Sequence, residues 1–179
     1  MTSPGPGAND SLVLGGGCFW CTDAAYRLLP GVTRVTCGYA GGSAENPTYE
    51  QVCGERTGHA EVIRIEFDSS KVALKRLLDY FWHVHDPTQV GGQGNDQGTQ
   101  YRSVILWADE AQRDAAEQSR AEAQKGCRAA IATEIAPLTR FWPAEEAHQD
   151  YFAKHANQGY CAVIIQPKIA KLRRELGKN

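Results

Sequence analysis

The sequence predicts a mixed α and β chain, an α/β or α+β layer packing whose strand order the pattern leaves open. Three observations predict it. Apolar residues alternate over Ala60–Phe67, with Ile63, Ile65 and Phe67 on one face and Arg64 and Glu66 on the other, as in a half-buried strand. Leu74, Leu77, Leu78 and Phe81 line one side of a helix over Lys71–His83. Segments of both kinds mix along all 179 residues, with no repeat, no heptad and no second-domain linker. One catalytic domain over 11–179 follows, preceded by a flexible tail over 1–10 that is rich in Gly, Pro and Ser.

Taken in order, Ser11–Leu14 is a short strand running into Gly15, Gly16 and Gly17. A helix starts at Cys18 or Phe19 and runs to Leu29, where Pro30-Gly31 stops it. Val32–Cys37 is a strand, followed by a turn at Gly38, Gly41 and Gly42. After the strand and helix already described, Gly91–Gly98 is polar loop and Ser103–Trp107 an apolar strand. Asp109–Lys125 is a helix capped by Asp109 and ended by Gly126. Thr133–Leu138 is a strand, Ala144–Asn157 a helix, Ala162–Gln166 extended, and Lys168–Leu176 a basic terminal helix.

An apolar share of 42% and a charged share of 22% are those of a soluble globular protein. The formal net charge of -2 gives no reason to expect nucleic acid or an anionic membrane as partner. No apolar run approaches the roughly 20 residues of a membrane span. Met1–Asp10 lack the basic start and apolar stretch of a secretory signal, so a cytoplasmic protein is expected, with a monomer as the default. In that setting six cysteines are not read as a disulfide framework; most are reduced, and at least one is a candidate for chemistry.

Cys18 is the first candidate. A strand, three glycines and a helix start put its sulfur beside free helix N–H groups, where a thiolate is favoured. A cysteine buried at a tight turn fits the same segment. Phe19 and Trp20 follow and could form an apolar socket for a methyl or thioether group, or simply pack the core. Cys18 and Cys21 make a Cys-x-x-Cys pair, a pattern of dithiol exchange and of zinc sites. Zinc would want a second pair or well-spaced histidines, and only His83 and His85 lie close together. Glu61 shares the apolar face of its strand, where desolvation raises a carboxyl pKa and would leave an acid able to protonate substrate oxygen. A solvated strand end, or pairing with Arg102, is the alternative. Gly94–Ser103 packs polar groups between glycines as functional loops do, and as plain turns do. Cys161, in Gly159-Tyr160-Cys161, is a thiol that could reach another sulfur or stay idle.

Together Gly16-Gly17-Cys18-Phe19-Trp20, Gly38-Tyr39-Ala40-Gly41-Gly42, Gly58-His59-Ala60-Glu61-Val62, His85-Asp86-Pro87-Thr88, the Gly94–Ser103 run and Phe141-Trp142-Pro143-Ala144-Glu145-Glu146 resemble, in order, the peptide methionine sulfoxide reductases of the A type. The resemblance covers roughly Ser11 to the C-terminal helix. It implies an α+β domain with a ferredoxin-like two-layer sandwich and a long C-terminal coil. It implies Cys18 as nucleophile on the sulfoxide sulfur, with Phe19 and Trp20 holding the methyl group. Glu61, Tyr39 and Tyr101 would bind and protonate the oxygen, and Asp96 would line the same site. Cys18 would become a sulfenic acid, Cys161 would close a disulfide, and thioredoxin or another dithiol would reopen it, with no bound cofactor or metal. The substrate would be the S form of methionine sulfoxide, free or in proteins. The sequence departs from the family at Cys21, where many members have Gly, and this leaves the resolving thiol open between Cys161 and Cys21. Asp23, Gly91 and Ala147 depart as well, and none of them removes a catalytic group. Cys37, Cys53 and Cys127 are read as structural. A general dithiol oxidoreductase using Cys18 and Cys21, and a zinc-stabilised binding module, are the competing readings.

Overall fold

A computed structural model describes residues 9–178. Apart from Asn9 and Asp10, the tail read over 1–10 lies outside the described residues, as does Asn179. Strand β1, Asn9–Gly15, starts two residues earlier than the apolar pattern suggests, because Asn9 and Asp10 pair with Asp68 and Phe67. It leads into helix α1, Phe19–Tyr26, then β2, Val32–Ala40, the short α2, Tyr49–Cys53, and β3, Ala60–Asp68. Helix α3 spans Leu74–Val84. The polar loop holds a small hairpin, β4 at Gly92–Gln93 and β5 at Asp96–Gln97. Strand β6, Val104–Trp107, is followed by α4, Glu110–Gln124, β7, Glu134–Pro137, and β8, Phe141–Pro143. Asp109 caps α4 as expected, accepting from the Gln112 N–H at 2.8 Å.

The main sheet has the order β7-β6-β1-β3-β2-β8. All pairs are antiparallel except β6 with β7. Its two faces bury different side chains, as the period of two requires. Leu12, Leu14, Ile63, Ile65 and Phe67 join α1 and the Leu77, Leu78 and Phe81 stripe of α3 in the large core. Val13, Val62, Val104, Leu106 and Phe141 form a smaller cluster on the other side. Helix α1 is buried nearly all round, between the sheet and the C-terminal elements.

The end of the chain departs from expectation. Ala144–Asn157 is not one helix: it holds a 3₁₀ turn at Glu146–His148 and α5 at Tyr151–His155, separated by Asp150 in a left-handed conformation. Ala162–Gln166 is not extended, and the terminal segment is not a long coil. Cys161–Ile165 is a π turn that runs directly into α6, Gln166–Leu176. The run of Val and Ile suggests a strand, but Cys161, Ile165, Ile169 and Leu172 recur at helical spacing and all enter the core. Burying side chains of this size is worth about 1.5–3 kcal/mol each, which outweighs the weak helix propensity of β-branched residues.

Candidate active site

The site grows from the end of β1. Gly15 lies so close to β3 that a Cβ there would strike the Glu61 carbonyl oxygen, and a Cβ on Gly16 would sit 2.7 Å from the His85 ring. Gly17, at φ 88°, turns the chain and donates its N–H to the Tyr101 carbonyl at 3.1 Å. Cys18 then falls at the N-cap of α1, as the glycine run predicts, with extended φ and ψ and 9% exposure.

Across the sheet, Tyr39 stands directly opposite Glu61 in the β2–β3 register, so both side chains share the helix-covered face. Glu61 is only 1% exposed, which removes the solvated-end alternative. Arg102 pairs with Glu134 instead, at 3.3 Å. The Glu61 carboxyl accepts the Phe19 N–H at 3.0 Å, which favours the ionised form, but burial outweighs it and pushes the pKa up to about 8. Glu61 is therefore an acid at neutral pH. Its charge, when present, bears on the hydroxyls of Tyr39, Tyr49 and Tyr101, all raised above the usual phenol range chiefly by burial.

The expected thiolate at Cys18 does not form in the resting site. Burial, then the hydrogen bond with Cys21, pushes the Cys18 thiol well above its ordinary range. Cys21 moves the other way, to about 7, through its hydrogen bond with Cys18 against its own burial and with help from the Lys168 charge. The helix start still offers positive potential, but its first N–H is committed to Glu61, and of the two thiols Cys18 keeps its proton while Cys21 is the one that ionises first.

A cleft of about 230 Å³ opens onto this pair, lined by Cys18, Cys21, Asp96, Tyr160, Ile164 and Lys168 among others. The Tyr160 hydroxyl donates to Asp96 at 2.6 Å and lies 3.6 Å from the Cys21 sulfur. Trp20 is half-buried, with Tyr151 stacked on it at 3.7 Å and its indole N–H donating to His148 at 3.2 Å. Phe19 is buried against Tyr39, Tyr49 and His148. The Tyr39 hydroxyl donates to Glu145 at 3.1 Å. Cys161 is buried, does not line the cleft, and has its pKa raised by burial and then by the Cys21 charge. Cys37 is buried beneath α1, its thiol 3.7 Å from the Phe19 carbonyl, and Cys53 and Cys127 do not line the cleft.

Sequence reasoning missed Tyr49, Glu145, His148, Tyr160 and Lys168. Tyr160 and Glu145 stood inside motifs already singled out; the other three carry no local signal.

His85, at the C-cap of α3, has both ring nitrogens engaged, with the Phe81 carbonyl at 2.9 Å and the Ser103 hydroxyl at 2.7 Å, so neither is free for a metal. Burial lowers its pKa to about 4. Between that value and about 6.5 the unfolded chain binds a proton at His85 that the folded chain does not, so stability falls as pH drops through this window. Thermal melts should show a steeper loss from about pH 6.5 to 4 in the wild type than in His85→Gln. Parallel curves would remove His85 as a source of acid lability.

Two thiols at a helix start, beside a buried carboxyl with a raised pKa, are groups that a thiol-dependent oxidoreductase would use. A family profile described as Peptide methionine sulfoxide reductase matches residues 10–179. Peptide methionine sulfoxide reductase MsrA of Nautilia profundicola is 50% identical over 168 residues, covering 93% of this chain and 96% of the relative. MsrA of Haloquadratum walsbyi is 51% identical over 165 residues, covering 92% and 95%. The crystal structure of Mxr1 from Saccharomyces cerevisiae in reduced form superposes with a TM-score of 0.82 at 34% identity, covering 89% of this chain and 92% of that one. The chain belongs to the peptide methionine sulfoxide reductase family, A type, and its activity is the thiol-dependent reduction of methionine sulfoxide.

Proposed function

We propose that Cys18 attacks the sulfur of S-methionine sulfoxide, free or in oxidised proteins, and takes up its oxygen as a sulfenic acid while methionine leaves. The observation that carries this reading is the buried Glu61, held at about pKa 8 by burial and fixed to the first N–H of the Cys18 helix. The difficulty of the step is the charge that develops on the sulfoxide oxygen, and a positioned acid offsets it. Phe19 and Trp20 receive the methyl group; Tyr39 and Tyr101 share the oxygen with Glu61, and Asp96 borders the entrance. The order β1-α1-β2-β3-α3-β6, with β6-β1-β3-β2 at the sheet centre, supports a ferredoxin-like core for this single catalytic domain.

A second thiol then closes a disulfide, and thioredoxin returns both thiols to the reduced state in the cytoplasm. The resemblance assigns the closing thiol to Cys161. Cys18 and Cys21 lie one turn apart at the start of α1 and line the same cleft, which favours Cys21 for the first disulfide, with Cys161 following by exchange. The test is thioredoxin-coupled NADPH oxidation with resolved epimers of free and peptide-bound methionine sulfoxide. Turnover of the S epimer alone is expected, because a socket that fixes both methyl and oxygen presents only one face of a chiral sulfur to Cys18. Comparable rates on both epimers would overturn the socket.

A further inference from the structure

The cleft contains one cation that the reaction above does not use. Pro167 opens α6, and Ile169 and Leu172 seat it in the core beside α1. That seating turns Lys168, one helical turn after Ile164, onto the cleft wall with Cys18, Cys21, Asp96 and Tyr160. No carboxylate among the described residues lies within 4.0 Å of the Lys168 ammonium. A half-buried, unpaired cation facing a thiol pair calls for an anion, and the reaction creates a need for one at Cys21.

We propose that Lys168 is a positioning residue for the second chemical step, its ammonium holding the Cys21 sulfur as the attacking thiolate once Cys18 carries a sulfenic acid. This rests on the reading of Cys21 as the thiol that closes the first disulfide. In that step the Cys21 thiolate attacks the Cys18 sulfur, the S–S bond forms and the S–O bond breaks. The departing hydroxide takes a proton and leaves as water. Cys21 is oxidised, the sulfenyl sulfur is reduced, and no further oxidant is required.

The groups facing Cys21 divide by sign. Asp96, reached through the Tyr160 hydroxyl, and Glu61, if ionised, oppose a negative sulfur. Cys161 is neutral with a raised pKa. Cys18 favours a negative sulfur by hydrogen bonding and Lys168 by charge, whereas the single Tyr160 proton is given to Asp96. The Cys18 thiol is consumed in the first step, whereas the Lys168 ammonium persists into the second. An opposite charge at close range shifts a pKa by about 1–3 units, and an open cleft screens that toward the lower end.

The experiment follows a single turnover of methionine sulfoxide without reductant, quenched with acid, with disulfides mapped by mass spectrometry across neutral to alkaline pH. Lys168→Met should move the pH midpoint of Cys18–Cys21 closure upward, slowing closure roughly three- to tenfold near neutrality and recovering at high pH. Lys168→Arg should restore the wild-type midpoint. Lys168→Gln replaces the Met variant if that substitution unsettles α6. An unchanged midpoint in the uncharged variant, or a shift that Arg fails to correct, would overturn the assignment to charge. A first disulfide mapped in the wild type as Cys18–Cys161, with Cys21 still reduced, would instead overturn the underlying reading whatever Lys168 does.

Discussion

Cys18→Ser abolishes methionine release while leaving the fold intact; the expected loss is on the order of 10⁴-fold or more, the scale seen when a nucleophile is removed. The two halves of this expectation have separate physical grounds. A serine hydroxyl has no accessible anion near neutrality and cannot form a sulfenic acid, so the first bond to the sulfoxide sulfur is not made. Stability, by contrast, should hold or rise. Cys18 is the N-cap of α1 and makes no side-chain cap hydrogen bond, whereas serine is among the preferred residues there. Single-turnover methionine release and a thermal melt on the same preparation check both halves. Substantial release from a well-folded Ser variant would remove Cys18 as the nucleophile.

Glu61→Gln slows the reductase step by at least roughly tenfold, the conservative floor for removing a positioned acid. Gln keeps the size and an N–H donor but has no proton to give, and the tyrosine hydroxyls sustain the remaining rate. The wild-type rate should fall as pH rises through about 8, because ionisation removes the active acid form. That alkaline limb should be missing in the variant. The same shift carries a stability sign. A carboxyl whose pKa is raised on folding binds its proton more tightly in the folded chain, so its contribution is full below about 4.3 and is lost as pH rises through about 8. Gln has no charge to bury, so above about pH 8 the variant should melt no lower than the wild type. An unchanged rate and pH profile would leave Glu61 a structural group.

Much of the site was legible because it rests on local pattern. The alternation of β3 placed Glu61 on the buried face, and the glycine run before an apolar segment placed Cys18 at a helix start. What escaped was set by contacts between distant segments. The helix start was expected to make Cys18 a thiolate, but the Phe19 N–H goes to a residue 42 positions away, and burial raises the Cys18 pKa while its interaction with Cys21 lowers that of Cys21. His148 meets Trp20 across 128 positions, and no local signal marks it. Strand β8 is three residues long, too short for any periodicity, and exists because Phe141 and Trp142 find β2. The C-terminal π turn and α6 were obscured by β-branched residues, although the spacing of Cys161, Ile165, Ile169 and Leu172 carried the helical signal all along.

The central claim is that Cys18 itself takes the oxygen from the sulfoxide, and it is tested most directly with both candidate closing thiols removed. A Cys21→Ser, Cys161→Ser double variant, reacted with S-methionine sulfoxide and a dione that traps sulfenic acids, isolates that event. The predicted result is about one methionine released per enzyme, with the trap mapped to Cys18 alone. Methionine release without a label on Cys18, or a label on another cysteine at matching yield, would contradict the account.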